Sequence, residues 1–237
     1  MGLEKALIHS VNTYFAEKTV ELGSEKLEDI MKRFYFDEKI PFDLPVATSK
    51  SSFSFGKVSK TELAATSFGQ GKTLVSPIHM ALVASTIYND GIMPKPKLVS
   101  EITSPQGILI EKKKDEELKR VIPKHIANTI YKYMNSVINY GSNASIRGEK
   151  VFGKTGTAEN ASGKTHAWFI GGVEKGKNSI VLSVILEEEG KTGGSVAAPI
   201  ARRMMIEGLK SIKWGQFCSY FFYIKILQKS NKLLKKI

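Results

Sequence analysis

The chain has one cysteine, Cys218, so an intrachain disulfide framework is excluded and the redox compartment is left open. Its four histidines, His9, His79, His125 and His166, show no metal-ligand spacing, and no metal is expected from them. No apolar run reaches the length of about 20 residues that crosses a bilayer. The opening Met1-Gly2-Leu3-Glu4-Lys5-Ala6-Leu7 is too short and too charged for a signal peptide, so no targeting segment is visible. Internal repeats and low-complexity blocks are absent as well.

Acidic residues are missing from one place in particular. The net charge of +12 suggests nucleic acid until it is located. Residues 211–237 hold six lysines and no acid; the first 210 carry 29 basic against 23 acidic residues, a mild +6. No recognition motif accompanies the charge, so nucleic-acid binding is not expected. The run Lys112-Lys113-Lys114-Asp115-Glu116-Glu117 is mixed in sign and reads as a solvated loop.

What is present is 237 residues with 42% apolar content, enough for one large domain or two small ones with a real core. Residues 3–33 read as two helices, the first in two pieces ending at Gly23 and the second starting at Ser24 as a cap. A long polar connection follows from Phe36 to Lys60. Ser76, Pro77 and the stop Asn89-Asp90-Gly91 frame a helix apolar almost all round, expected in the centre of the domain. Pro94, Pro96 and Pro105 punctuate a short hairpin region, and Pro123–Tyr140 is an amphipathic helix with Ile126, Ile130, Met134 and Val137 on one face.

The organising stretch is Val151-Phe152-Gly153-Lys154-Thr155-Gly156-Thr157-Ala158. Two further strand patterns follow it, His166–Val173 and Ser179–Leu186. On a strand, Lys154 and Gly156 face one way and Thr155 the other. Gly156 lets a ligand approach the main chain, so backbone N–H groups, two hydroxyls and an ammonium gather to hold a carboxylate and an oxyanion. A solvated edge strand with ordinary polar decoration is the plainer alternative. His9-Ser10-Val11-Asn12 likewise reads, taken alone, as residues that start a helix.

Read in order, these pieces resemble the C-terminal two thirds of the transpeptidase domain of a class B penicillin-binding protein. Ser10-Val11-Asn12 is similar to that family's Ser-x-Asn motif, and Lys154-Thr155-Gly156 to its Lys-Thr-Gly motif. Phe68-Gly69-Gln70-Gly71, Ser76-Pro77, Met80-Ala81 and Asn89-Asp90-Gly91 resemble the link between them, and His166–Gly171 the strand that follows. Gly141-Ser142-Asn143-Ala144 departs from the Gly-Thr-Ala often found there. The resemblance covers about residues 3–210, which are expected to form a partial transpeptidase domain (1–210) followed by a basic aromatic tail of unclear origin (211–237). That tail reads equally as a membrane-surface segment or as non-native sequence, and removing residues 213–237 is expected to leave the body intact.

The resemblance implies a β-lactamase/D,D-transpeptidase-like α/β fold of the α+β type, a mainly antiparallel sheet flanked by helices. It implies acyl transfer through a serine ester, with D-Ala-D-Ala stem peptides of peptidoglycan as substrate, β-lactams as trapped acylating agents, and no cofactor. Catalytic roles fall to Ser10, Asn12 and Lys154, and substrate binding to Thr155, Gly156 and Thr157. The implied parent sits at the extracytoplasmic face of the bacterial membrane among cell-wall synthesis proteins. The family's Ser-x-x-Lys nucleophile has no counterpart before Ser10. Ser54-Phe55-Gly56-Lys57 fits the pattern but follows the second motif without a helix, and reads as a decoy. A fragment inactive by itself is therefore expected; a β-lactam sensor or inactive homologue, and a serine β-lactamase, are the alternatives. Trp168 is expected in the core, and Glu159 and Asn160 begin a loop whose polar residues need no functional reason.

Overall fold

Three helices, not two, open the chain, because two residues take a backbone conformation that a helix cannot continue. The computed structural model describes residues 1–160, 162–176, 178–211 and 219–226. α1 (Leu3–Ile8) is separated from α2 (Asn12–Leu22) by Ser10 at φ +52°, and α2 from α3 (Ser24–Arg33) by Gly23 at φ +93°. Ser24 is thus the first helical residue, and no side chain caps α3.

The polar connection is pinned by Asp37, whose carboxylate accepts from the N–H (3.0 Å) and Oγ–H of Ser51. Ser52–Phe55 forms one 3₁₀ turn that ends at Gly56, so Lys57 is not one helical turn beyond Ser54, as the decoy reading requires. α4 (Lys60–Thr66) is capped by Ser59, which accepts from the Glu62 N–H at 3.2 Å. α5 (Pro77–Tyr88) starts at Pro77 and stops at Asn89, as its sequence dictates. Two short antiparallel ladders follow, β1 (Ile92–Pro94) with β4 (Glu117–Arg120), and β2 (Glu101–Thr103) with β3 (Leu109–Lys112). α6 (Lys124–Asn139) leads into the main sheet.

That sheet contains β5 (Lys150–Ala158), β6 (His166–Lys175), β7 (Asn178–Leu186) and β8 (Ser219–Ile226), in that spatial order. The first three pair antiparallel, with Lys154 opposite Ile170 and Gly156 opposite Trp168; β5 is the edge. β8 runs parallel to β7, so this part of the tail joins the sheet, which the sequence reading did not foresee. The rest of the tail lies outside the described residues.

Strand alternation divides the sheet into two faces. Val151, Ala167, Phe169, Val173, Ile180, Leu182 and Val184 pack against α7 (Ala198–Ser211) and the π-type turn Gly193–Ala197 that leads into it. Phe152 and Val181 point the other way, onto Ala84 and Ile87 of α5 and Met134 of α6. There the Phe152 ring stacks on Tyr88 (5.5 Å, 8°), with Tyr131 at 5.0 Å. Phe152 and Phe169 are fully buried, each contributing about 2–3 kcal/mol of transfer free energy. A third cluster around Leu82, Met93 and Val121 ties α3 to α5 through Ile30 and Phe34, and the Arg33 guanidinium donates to the Val121 carbonyl.

Candidate active site

Ser10 is held where it is by the way α1 ends. The Val11 N–H donates to Ala6 O (2.9 Å) and the Ser10 N–H to Leu7 O (3.3 Å). These two bonds define a Schellman turn with Ser10 in the left-handed position that glycine usually takes. A serine there carries backbone strain that a glycine would not. The turn leaves Ser10 exposed and aims its hydroxyl at β5.

Lys154 meets it from the sheet edge. Its ammonium donates to Ser10 Oγ and to its neighbour's carbonyl, Thr155 O, at 2.9 Å. No carboxylate pairs with it among the described residues, and burial alone pushes its pKa below the usual lysine value. A lysine in such surroundings gives up its proton more readily than an exposed one, and it faces a hydroxyl able to pass that proton on. Asn12, the first residue of α2, is exposed and its side chain makes no hydrogen bond among the described residues.

The edge of β5 supplies the rest. Val151 O accepts from Asn135 Nδ2 at 2.6 Å, and Thr155 O from Lys154, so both point away from β6. Because direction alternates along an antiparallel strand, the Thr157 N–H also points off the open edge. Thr157 is exposed, Thr155 half-buried. The Thr157 hydroxyl lies on the face opposite Lys154 and accepts from the Gly193 N–H at 3.2 Å. Gly193 must be glycine: a Cβ there would sit 2.3 Å from both Gly156 O and Trp168 O.

Residues 1–206 match the penicillin binding protein transpeptidase domain. The chain belongs to that family. The transpeptidase domain is 29% identical over 219 residues to the peptidoglycan D,D-transpeptidase PbpA of Mycolicibacterium smegmatis, covering 89% of this chain and 44% of the relative. It is 30% identical over 214 residues to penicillin-binding protein 3 of Bacillus subtilis, covering 86% of this chain and 30% of that protein. The chain thus spans less than half the length of these relatives. Among solved structures it resembles penicillin-binding protein A from M. tuberculosis in its ceftriaxone acyl-enzyme complex, with a TM-score of 0.79, 27% identity, and coverage of 87% of this chain and 48% of that one. The D,D-transpeptidase domain of a peptidoglycan glycosyltransferase from Eggerthella lenta follows at 0.76 and 26%, covering 89% of this chain and 54% of that one. The fold is accordingly the transpeptidase α/β fold that the motifs implied.

Within this transpeptidase domain, Trp168 corrects the sequence reading. It is half-buried, outside the buried clusters, and opposite Gly156 on the Lys154 face; its Cβ lies 3.3 Å from where a Gly156 Cβ would stand. Two contacts were missed altogether. Gly193 was signalled only by the pair Gly193-Gly194 after Thr192. His166 was read as strand, yet its Nδ1 accepts from the Glu188 N–H at 3.0 Å and its Nε2 lies 3.1 Å from the Asn160 amide.

Proposed function

We propose that this chain is part of a penicillin-binding D,D-transpeptidase that cross-links peptidoglycan stem peptides through a serine acyl-enzyme and is acylated by β-lactams. The observation that carries this reading is the Lys154 ammonium donating to Ser10 Oγ across 144 residues of chain. It puts a hydroxyl and a desolvated amine together beside an open strand edge.

In this reading a serine in a Ser-x-x-Lys element outside residues 1–237 attacks the penultimate D-Ala carbonyl. The peptide C–N bond breaks, D-Ala leaves as the amine with a proton relayed by Ser10, and an ester remains. An amine of a neighbouring stem peptide then attacks the ester and restores the serine. Lys154 supplies positive potential at Ser10 and Asn12 holds the substrate amide. Thr155 and Thr157 bind the terminal carboxylate beside Gly156, whose bare backbone lets the peptide approach. The Thr157 N–H forms half of the oxyanion hole. Without the nucleophile the 237-residue chain is inactive. The parent works at the outer face of the bacterial membrane with other cell-wall synthesis proteins; no helix among the described residues is long and apolar enough to cross it.

The test is fluorescent-penicillin labelling followed by denaturing electrophoresis, on this chain and on one extended upstream through a Ser-x-x-Lys motif. Labelling of the extended chain alone supports the proposal. Labelling of the 237-residue chain would place the nucleophile inside it, with Ser54 the first residue to mutate. Rapid turnover of the β-lactam by the extended chain would favour a β-lactamase instead.

A further inference from the structure

Two loops border the Thr157 end of β5, one leaving β5 at Ala158 and one leaving β7 at Leu186, and the His166 imidazole accepts a hydrogen bond from the second. A main-chain N–H can only donate, so the 3.0 Å contact from Glu188 makes His166 Nδ1 an acceptor. Glu188 is held at φ +53°, a left-handed conformation that costs a residue with a long side chain. Its N–H bond to His166 is therefore a clamp on a strained turn. Thr165 adds two more ties to the same loop: its carbonyl accepts from the Gly190 N–H at 3.2 Å, and its hydroxyl donates to Lys191 O at 3.0 Å.

The clamped loop runs directly into Thr192 and Gly193. Thr192 Oγ1 accepts from the Ser195 N–H at 3.2 Å and so starts the π-type turn, while the Gly193 N–H reaches Thr157 Oγ1. A hydroxyl has one proton. With the Gly193 N–H filling a lone pair, the Thr157 proton is left to point away from Gly193 and is available to an approaching acceptor. One acceptor site is thereby engaged and the proton stays free to donate, the polarity that a carboxylate requires.

We propose that His166 is a positioning residue for carboxylate recognition: by clamping Glu188 it fixes the loop that presents the Gly193 N–H, and this orients Thr157 as a donor to the substrate's anionic end. The nature of the ligand rests on the transpeptidase reading; the clamp does not.

Two variants separate positioning from packing. His166→Phe keeps a ring and loses the acceptor. His166→Asn loses the ring but keeps an acceptor oxygen on Cγ, where Nδ1 is attached. The measurements, on the 237-residue chain, are amide hydrogen exchange at Glu188 and Gly193, and binding of diacetyl-L-Lys-D-Ala-D-Ala followed by the Thr157 amide resonance. His166→Phe should exchange about tenfold faster at both amides and bind the peptide about five- to tenfold more weakly, as for loss of one hydrogen bond; His166→Asn should stay near the parent chain. Slow exchange in His166→Phe, or His166→Asn behaving like His166→Phe, overturns the proposal. If the unmutated chain fails to bind the peptide, the ligand assignment falls, and the exchange pattern still decides the role of His166.

Discussion

The two faces of the main sheet differ in what they bury. Toward α7 lies one continuous cluster of fourteen buried residues, apolar throughout. Toward α5 and α6 the buried apolar groups are split into smaller clusters. On that side the hydroxyls of Ser76, Ser85 and Ser183 and His79 Nδ1 are buried without a hydrogen-bond partner among the described residues. Buried polar groups left unpaired cost stability. One face therefore buries a single continuous apolar cluster, and the other carries unpaired polar groups along with Ser10 and Lys154.

The sharpest way to break this comparison is to cut into each face. Phe169→Ala, on the α7 side, should lower unfolding free energy by about 3–5 kcal/mol and shift the urea midpoint accordingly; a loss smaller than that of the size-matched Phe152→Ala, on the other side, would refute the distinction. On the site face the expected effect is functional. In the upstream-extended protein, Lys154→Ala or Ser10→Ala should slow penicillin acylation by about 100- to 1000-fold, with a urea midpoint at or above that of the parent. A stopped-flow acylation rate within threefold of the parent would remove both residues from the mechanism.

Acid should find the α5 face first. Burial pushes the pKa of His79 below its usual value, against the smaller opposing effect of its bond to Phe34 O (2.6 Å). Below pH 6.5 the unfolded chain binds a proton that the folded chain resists, so stability is held above that pH and lost as pH falls through the depressed value. Urea titrations from pH 8 to 4.5 should show a decline that His79→Gln lacks; parallel curves would contradict it. The smallest effect comes from Lys154. Its lowered pKa means that the folded state sheds its proton first, so stability relative to Lys154→Met should rise as pH approaches 10.5 and level off above it. A flat difference between the two proteins would show that the ammonium is not desolvated.

Much of this was legible because local chemistry decided it. Pro77 and the stop Asn89-Asp90-Gly91 mark the ends of α5, although the Ser76 hydroxyl makes no cap bond and its N–H is held instead by Ser49 Oγ at 3.0 Å. The strand patterns around Lys154 mark β5, β6 and β7 for the same reason, whereas it was the resemblance of Ser10-Val11-Asn12 and Lys154-Thr155-Gly156 to two family motifs that pointed to Ser10 and Lys154 as partners. What escaped depends on contacts between distant residues. That Ser10 stands in a glycine position follows from where the N–H groups of Ser10 and Val11 send their hydrogen bonds; the sequence marked a gap between two helical pieces there, but not the left-handed residue inside it. Trp168 looked like core because large aromatic residues usually are; on β6 it stands opposite Gly156 of the edge strand, which has no side chain to cover it, and it is only partly buried. His166 and Gly193 are joined only through a loop whose path no pattern announces.

The left-handed Ser10 sets stability and chemistry against each other at a single codon. Ser10→Gly would relieve the turn, and Ser10→Asn would be better tolerated there than serine, yet both discard the hydroxyl that receives Lys154. Libraries selected for heat resistance alone should drift toward those two substitutions. Selection for cell-wall synthesis should hold serine in place, so sequencing survivors under each regime would read out which demand has shaped the position.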